Sequence, residues 1–314
     1  MNNYADRLLD AIEKKQNPSV VGLDPRLEQV PSFIKEDMIE KHGKTFEAAA
    51  ESFLVFNKRI IDAVKDIVPA VKPQIAFYEK YLGHGLRVFV ETVRYARKKG
   101  LVVIEDGKRN DIGSTAQAYS QGHLGKVDMF GEPVSAIDVD CITVNPYLGI
   151  DGIKPFIDDV KAHGKGIFVL VKTSNPSSGD FQDLKIGDKH MYEHVAELVA
   201  KWNVDTIGNR GYGSVGAVVG ATYPEEAVAL RKLMPKSIFL VPGYGAQGGV
   251  ATGVVPNFNP DGFGAIVNSS RGIIFAYEDG NYREEDFDKA ARDAAQDMKD
   301  AINAALKEAG RRAW

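Results

Sequence analysis

Eight short apolar segments, each followed by a helical pattern or by polar turn residues, constrain the fold of this chain most strongly. Most are continuous apolar runs, such as VVGLD, LVVIED and IFVLVK, rather than alternating ones. Parallel strands that are covered on both faces have this pattern, because neither face meets water. The predicted strands are Ser19–Asp24, Ala70–Gln74, Leu101–Lys108, Cys141–Pro146, Gly166–Ser174, Gly216–Thr222, Ser237–Gly243 and Gly264–Ser270.

Amphipathic segments between these strands predict helices. In the segment Thr45–Ile67, apolar residues recur at intervals of three and four residues, which is the apolar stripe of a helix that packs on a sheet. Basic residues before Gly100 mark a helix end, and Pro224 followed by two glutamates suits a helix start. The predicted helices are Thr45–Ile67, Leu86–Lys99, Tyr223–Leu233 and Glu284–Lys307.

Strands that alternate with helices fit a closed (β/α)8 TIM barrel or a large open, doubly wound sheet. Polar and glycine-rich residues follow the strand ends, where both architectures place their sites. The chain has 314 residues, and its sequence shows neither a linker nor a fixed-period repeat. We therefore predict an α/β protein with a single TIM-barrel domain over residues 1–314.

Composition and charge exclude several classes of protein. The one cysteine, Cys141, rules out an internal disulfide framework and suits a reducing compartment. A formal net charge of −4 argues against nucleic acid as the main partner. The sequence has neither a signal-peptide pattern nor an uncharged apolar run long enough to cross a bilayer. These features predict a cytoplasmic protein that binds neither nucleic acid nor membrane.

Charged residues cluster at the end of the third predicted strand, which reads EDGKRND. Strand alternation places Asp106 and Lys108 on one face, and Gly107 leaves room between them. Asp111 opens the following helix, with Thr115 one turn further on the same side. From the spacing alone, an Asp–Lys ion pair that merely closes the barrel mouth fits as well as a catalytic site.

The strand-three motif resembles that of the orotidine 5′-monophosphate decarboxylase family, Asp-x-Lys-x-x-Asp-Ile followed by a threonine. Other strand ends match the family in order, and the resemblance covers roughly Val20 to Ala276. The matching segments are GLD at 22–24, VKPQ at 71–74, VVGAT at 218–222, VPGYGAQGG at 241–249 and NSSRG at 268–272.

The resemblance implies decarboxylation of orotidine 5′-monophosphate to uridine 5′-monophosphate, the last step of de novo pyrimidine nucleotide synthesis. It implies no metal and no other cofactor, so the charge that develops at carbon 6 must be stabilised electrostatically. Lys108 would supply the neighbouring cation and the proton. Asp106, Lys72 and Asp111 would complete an alternating charged array. Asp111 and Thr115 would act across the interface of a homodimer, in the neighbouring site.

The resemblance also assigns substrate contacts. Asp24 would bind the ribose, Ser174 the pyrimidine, and Gln247 and Arg271 the phosphate. The loop 243–249 has a physical reading of its own, because glycines let backbone N–H groups approach an anion and arginine pairs with phosphate through two parallel hydrogen bonds. A plain glycine-rich surface loop is the alternative. The segment continues to Gly262, long enough for a lid, and a second long loop over 174–188 would shield the ring.

Several alternatives stay open. The chain is longer than many family members, and it reads Gly-Lys-Arg-Asn where a Phe-Lys pattern is commoner, features of a longer, divergent bacterial branch. A magnesium-dependent sugar-phosphate decarboxylase or aldolase-like barrel would need an extra carboxylate, and Glu105 points away from Asp106. A catalytically silent, nucleotide-binding barrel is a third reading. His190, Glu193 and His194 match a zinc-peptidase pattern, but the pattern is short, needs a distant third ligand and leaves the phosphate loop unexplained.

Overall fold

The computed structural model describes residues 3–245 and 249–314, and its central feature is a closed barrel of parallel strands. The strands follow one another around the barrel in chain order, and the last pairs with the first, as in Val20 beside Asn268. Closure confirms the predicted TIM barrel over the open sheet. The barrel strands are β1 Ser19–Leu23, β2 Ala70–Pro73, β3 Val102–Arg109, β4 Cys141–Val144, β5 Gly166–Lys172, β6 Gly213–Val219, β7 Ser237–Val241 and β8 Ala265–Ser269.

Helices cover the outside of the barrel, and two short antiparallel hairpins, Val127–Val134 and Lys185–His190, lie in its loops. Within the described residues, no helix is both long and apolar enough to span a bilayer. The helices are α1 Tyr4–Lys15, α2 Ser32–His42, α3 Phe46–Val64, α4 Ala76–Glu79, α5 Leu82–Lys98, α6 Gly113–His123, α7 Ile150–His163, α8 Gly179–Gln182, α9 Met191–Asn203, α10 Pro224–Leu233, α11 Ala251–Val254, α12 Arg271–Ile274 and α13 Phe287–Glu308.

Apolar side chains form two layers, one on each side of the barrel wall. The outer layer lies between the strands and helices such as α3 and α5, and the inner layer fills the barrel. Helix α1 closes the N-terminal end of the barrel, where the ring of Tyr4 packs edge-on against Phe168 with centroids 6.3 Å apart. Because this end is closed by apolar packing, the C-terminal end is the mouth at which a ligand can bind.

The predicted helices are all present, with shifted ends. Helix α3 begins at Phe46 because the hydroxyl of Thr45 caps it, accepting from the backbone N–H of Ala48 at 3.2 Å. Helix α5 begins at Leu82, four residues earlier than predicted, because its first turn holds two glycines that weaken the helical signal. One of them, Gly85, is needed there, since a Cβ would overlap the carbonyl of Tyr78.

Most of the predicted strands extend one to three residues beyond the observed ones at their C-terminal ends. Asp24, Gln74 and Thr222 lie beyond the ends of their strands, among the loops that form the mouth of the barrel. Strand β6 begins earlier than predicted, at Gly213, where the tight approach of Asn203 leaves no space for a side chain. The prediction that the segment up to Gly262 forms a lid was wrong in part, because Val254 and Phe258 are buried in the outer layer.

Candidate active site

A cavity of about 620 Å³ opens at the C-terminal mouth of the barrel, a size that suits a small ligand. Six of the residues that the sequence singled out meet there, although they come from five different strand ends. The residues that line the cavity are Asp24, Arg26, Lys72, Phe77, Asp106, Lys108, Thr143, Leu170, Thr173, Ser174, Asn175, Gln182, Val218, Leu240, Pro242, Gly243, Tyr244, Asn268, Ser269, Ser270 and Arg271.

Three charged side chains form a continuous array on the cavity floor. The Lys72 ammonium donates to Oδ2 of Asp106 at 2.8 Å, and the Lys108 ammonium donates to Oδ1 of the same carboxylate at 2.6 Å. The hydroxyl of Thr143 also donates to Oδ1, at 3.0 Å. Both carboxylate oxygens are therefore engaged, and Asp106 sits between two cations.

Burial and pairing act in opposite directions on these groups. Burial alone would raise the pKa of Asp106, but Lys72 and Lys108 outweigh it and hold that pKa well below its usual range. Burial alone would lower the pKa of Lys72, but the negative charges of Asp106 and Asp24 outweigh it and raise that pKa. The array therefore keeps Asp106 ionised and Lys72 protonated at neutral pH.

Strand β3 bulges at the charged motif. Glu105 pairs with Ile142 and Arg109 with Val144, so the three residues between them on β3 face one on β4. Lys108 lies within the bulge at φ +46°, the left-handed region that side chains rarely adopt. Its backbone N–H donates to the Thr143 hydroxyl at 2.9 Å. Backbone strain of this kind persists where surrounding contacts enforce it and is common at functional sites.

Thr143 is a site residue that the sequence analysis missed. It lies on β4 two residues after Cys141, whose side chain belongs to the inner layer. Strand alternation therefore points Thr143 into the barrel as well, at the end of the strand. The two-residue period could have found it, although its contact with Asp106 depends on the register between β3 and β4.

Two buried polar atoms in the cavity wall have no hydrogen-bond partner in the described structure, Oδ1 of Asp24 and Oδ1 of Asn268. Such atoms are costly unless a ligand or water satisfies them. Close packing of β1 against the end of β8 brings them to the same wall, and a Cβ at Gly22 would overlap the side chain of Ser270. The mouth therefore offers unsatisfied acceptors to hydroxyl or N–H groups of a ligand.

The assigned substrate contacts lie on different sides of the cavity. Ser174 follows β5 and lies against Gly220, where a Cβ would stand 3.0 Å from the Ser174 side chain. This approach explains why glycine suits the VVGAT segment. Arg271 begins the short helix after β8 and lines the cavity, as does Gly243. Gln247 lies outside the described residues.

Asp111 and Thr115 do not join the other site residues. Neither lines the cavity of this chain, in contrast to Asp106 and Lys108. Asp111 accepts from the backbone N–H of Ile112 at 2.8 Å, and Thr115 is exposed on α6. The helix begins at Gly113, so the expectation that Asp111 opens it was slightly wrong.

The outer face of β3 carries a second charged group. Glu105 is fully buried and pairs with Nδ1 of His123 at 2.8 Å, away from Asp106, as the sequence indicated. Gly107 also faces outward, and a Cβ there would crowd Glu105 and Ile142. The expectation that Gly107 makes room between Asp106 and Lys108 was therefore wrong.

The zinc-like pattern has a structural role. His190 and Glu193 form a capping box at the start of α9, in which Glu193 accepts from the backbone N–H of His190 at 2.8 Å. His194 contacts the carbonyl of Ile186 at 3.2 Å through Nε2. Within the described part of the chain, no cluster of three His, Cys, Asp or Glu side chains could hold a metal ion.

Comparisons with known proteins agree on one family. The family model described as orotidine 5′-phosphate decarboxylase / HUMPS matches residues 21–284. A relative from Caldicellulosiruptor bescii, named orotidine 5′-phosphate decarboxylase, is 46% identical over 306 residues, covering 98% of this chain and 100% of the relative. One of the same name from Rhodopirellula baltica is 47% identical over 305 residues, covering 97% of each. The solved structure of Leishmania donovani OMP decarboxylase has a TM-score of 0.72 and 32% identity, covering 96% of this chain and 98% of that one.

Proposed function

Because this chain belongs to the orotidine 5′-phosphate decarboxylase family, we propose that it decarboxylates orotidine 5′-monophosphate without a cofactor and with Lys108 as the proton donor. The reaction itself, a carboxy-lyase step of pyrimidine nucleotide synthesis that yields uridine 5′-monophosphate, follows from the family. One catalytic domain over residues 1–314 and a cytoplasmic location are part of the same proposal.

The observation that carries the residue roles is the Lys72–Asp106–Lys108 array. Loss of carbon dioxide leaves an electron pair on carbon 6 of the ring, and a preorganised cation nearby lowers the energy of that charge. The Lys108 side chain is about half exposed and lines the cavity, so its ammonium can face the ring and pass a proton to carbon 6. Asp106 holds Lys108 in place, and the buried Lys72 keeps Asp106 ionised.

The same array argues for cofactor-free chemistry. Magnesium needs several oxygen ligands, but both oxygens of Asp106 already accept hydrogen bonds from ammonium or hydroxyl groups, and Asp24 offers one carboxylate oxygen without a partner among the described residues. Glu105, the neighbouring carboxylate, is on the far side of the strand with His123. We expect exhaustive treatment with EDTA to leave the decarboxylation rate unchanged. Loss of activity that magnesium restores would instead support a metal-dependent reaction on this barrel.

Substrate contacts follow from the cavity walls. We assign the ribose to Asp24, whose buried Oδ1 has no hydrogen-bond partner among the described residues, the pyrimidine to Ser174, and the phosphate to Arg271 and Gln247. An Arg271→Ala variant should mainly raise KM, because a phosphate contact is present in substrate and transition state alike. An unchanged KM would contradict this role.

The proposal includes a homodimer in which Asp111 and Thr115 serve the neighbouring site. Its support is their position outside their own cavity, beside the exposed apolar side chain of Ile112. Mixing inactive Lys108→Ala and Asp111→Ala proteins should then restore about a quarter of wild-type activity, because half of the dimers are mixed and each of those has one intact site. Failure to recover activity after confirmed subunit exchange would contradict the shared site.

The central test is the ultraviolet assay of orotidine monophosphate with wild-type protein and with Lys108→Ala. We expect wild-type turnover, and loss of turnover in a folded variant that still binds uridine monophosphate. Near-normal turnover of Lys108→Ala would exclude the proton-donor role. Tight binding without turnover by the wild type would instead identify a silent, nucleotide-binding barrel.

A further inference from the structure

The loop after β5 is fastened to the barrel by a buried lysine. Lys172 ends the strand with its side chain 0% exposed, and Nζ donates to Oδ1 of Asp183 at 2.5 Å. Asp183 lies in the loop and is 46% exposed. A buried ammonium is costly to leave unpaired, so Lys172 holds this part of the loop firmly against the strand end.

Two aromatic rings complete the surroundings of the ammonium. Nζ of Lys172 lies 4.5 Å from the ring centroid of Tyr223 and 5.4 Å from that of Tyr192. Tyr223 precedes α10, and its hydroxyl lies 3.1 Å from the hydroxyl of Ser178 in the β5 loop. Tyr192 belongs to the first turn of α9. One cation therefore joins the β5 loop, the start of α9 and the loop after β6.

A second contact fixes the same loop near its beginning. The Gln182 side chain accepts from the backbone N–H of Thr173 at 2.9 Å and donates to its hydroxyl at 2.7 Å. Ser174 and Asn175 lie between these anchors, and both line the cavity together with Gln182. Lys172 is not among the described residues that line it, so any effect on a ligand must pass through the loop.

We propose that Lys172 is a positioning residue for the pyrimidine ring of the substrate. By holding Asp183 it fixes loop 173–183, so that Ser174 and Gln182 meet the ring in a set geometry. The inference rests on the proposed function, which places the ring on the Ser174 side of the cavity. It concerns the ring alone, because Asp24 and Arg271 lie on other strand ends.

A matched control lies at the opposite end of the same strand. Lys165 precedes β5, is buried, and donates from Nζ to Oδ1 of Asp138 at 2.7 Å. It therefore repeats the pairing of a buried lysine with a partly exposed aspartate, far from the mouth. Each of Lys172→Met and Lys165→Met removes a buried ammonium that pairs with an aspartate, and only the first should affect the ring.

The experiment measures three quantities for each variant: the melting temperature, kcat/KM with orotidine monophosphate, and affinity for uridine monophosphate against ribose 5-phosphate, which lacks the ring. Lys172→Met should lose roughly tenfold or more in kcat/KM, the scale of one ring hydrogen bond. It should bind uridine monophosphate more weakly and ribose 5-phosphate within about twofold of wild type. Lys165→Met should change only the melting temperature.

Asp183→Asn supplies a second variant in case Lys172→Met does not fold. Its side-chain Oδ1 can still accept from the Lys172 ammonium, so the tether is weakened rather than removed and Asp183→Asn should show a smaller loss of ring-dependent affinity than Lys172→Met. Wild-type kcat/KM in both variants would overturn the inference, as would an equal loss of affinity for ribose 5-phosphate. A wild-type protein that fails to decarboxylate orotidine monophosphate would refute the proposed function instead, a separate outcome.

Discussion

The ammonium groups of Lys72 and Lys108 flank the carboxylate of Asp106. Removing them one at a time, as Lys72→Met and Lys108→Met, should give variants that differ sharply in free energy of unfolding. The Lys72 side chain is 4% exposed and the Lys108 side chain 47% exposed. Both reach Asp106 within 2.8 Å. Any difference between the variants therefore reflects burial rather than contact distance.

The expected magnitudes follow from that difference. Removing one partner of a buried ion pair costs about 3–5 kcal/mol, and we expect about 3 kcal/mol for Lys72→Met because Lys108 and Thr143 still engage Oδ1 of Asp106. Lys108→Met keeps the buried Lys72–Asp106 pair and removes a half-solvated group, so it should cost less than about 1 kcal/mol. Both variants should lose decarboxylation.

The assay is urea unfolding at pH 7 without nucleotide, with the ultraviolet assay run on the same samples. Lys41→Met serves as the control, because Lys41 pairs with Asp37 on the exposed face of α2 and should shift the free energy of unfolding by less than about 0.5 kcal/mol. Equal destabilisation by Lys72→Met and Lys108→Met would refute the reasoning, as would a cost below about 1 kcal/mol for Lys72→Met.

Three further outcomes test the geometry of the array. Thr143→Val removes the acceptor for the Lys108 backbone N–H and a donor to Asp106, so it should destabilise the protein by about 1–2 kcal/mol and lower kcat. Urea unfolding measures the stability and the ultraviolet assay measures kcat. An unchanged kcat would show that the bulge does not need the Thr143 hydroxyl. Lys108→Gly should be about 1 kcal/mol more stable than Lys108→Ala, because residue 108 has φ +46°, and a more stable alanine variant would contradict the strain. Asp106→Asn should be less stable than wild type at neutral pH. Because the folded-state pKa of Asp106 lies below its unfolded value near 3.8, the stabilisation is complete above that value and is lost as the pH falls through the folded-state pKa. Unfolding curves from pH 7 to pH 3 should therefore show the gap narrowing only at the acid end, and a gap that narrows near pH 6 would exclude this origin.

The sequence alone determined the architecture and the identity of the central charges. Continuous apolar runs indicated strands covered on both faces, and eight strands alternating with helices predicted the barrel that β1 and β8 close. The two-residue period of a strand placed Asp106 and Lys108 inward and Glu105 outward, as the structure confirms. These features depend on the local periodicity of apolar and polar residues, which can be read directly from the sequence.

The tertiary structure decided what depends on neighbouring strands. The bulge of β3 and the left-handed backbone of Lys108 arise from the register against β4, and they bring Thr143 into the array. The ion pair between Lys172 and Asp183 joins residues whose spacing along the chain follows no regular period. The resemblance implied an alternating Lys-Asp-Lys-Asp array in which Asp111 comes from the neighbouring subunit; within this chain Lys72, Asp106 and Lys108 come together, and Asp111 does not line their cavity. The register between two strands and the contacts across a barrel mouth are set by non-local packing, so no pattern along one strand could have specified the bulge, the Thr143 contacts or the Lys172–Asp183 pair.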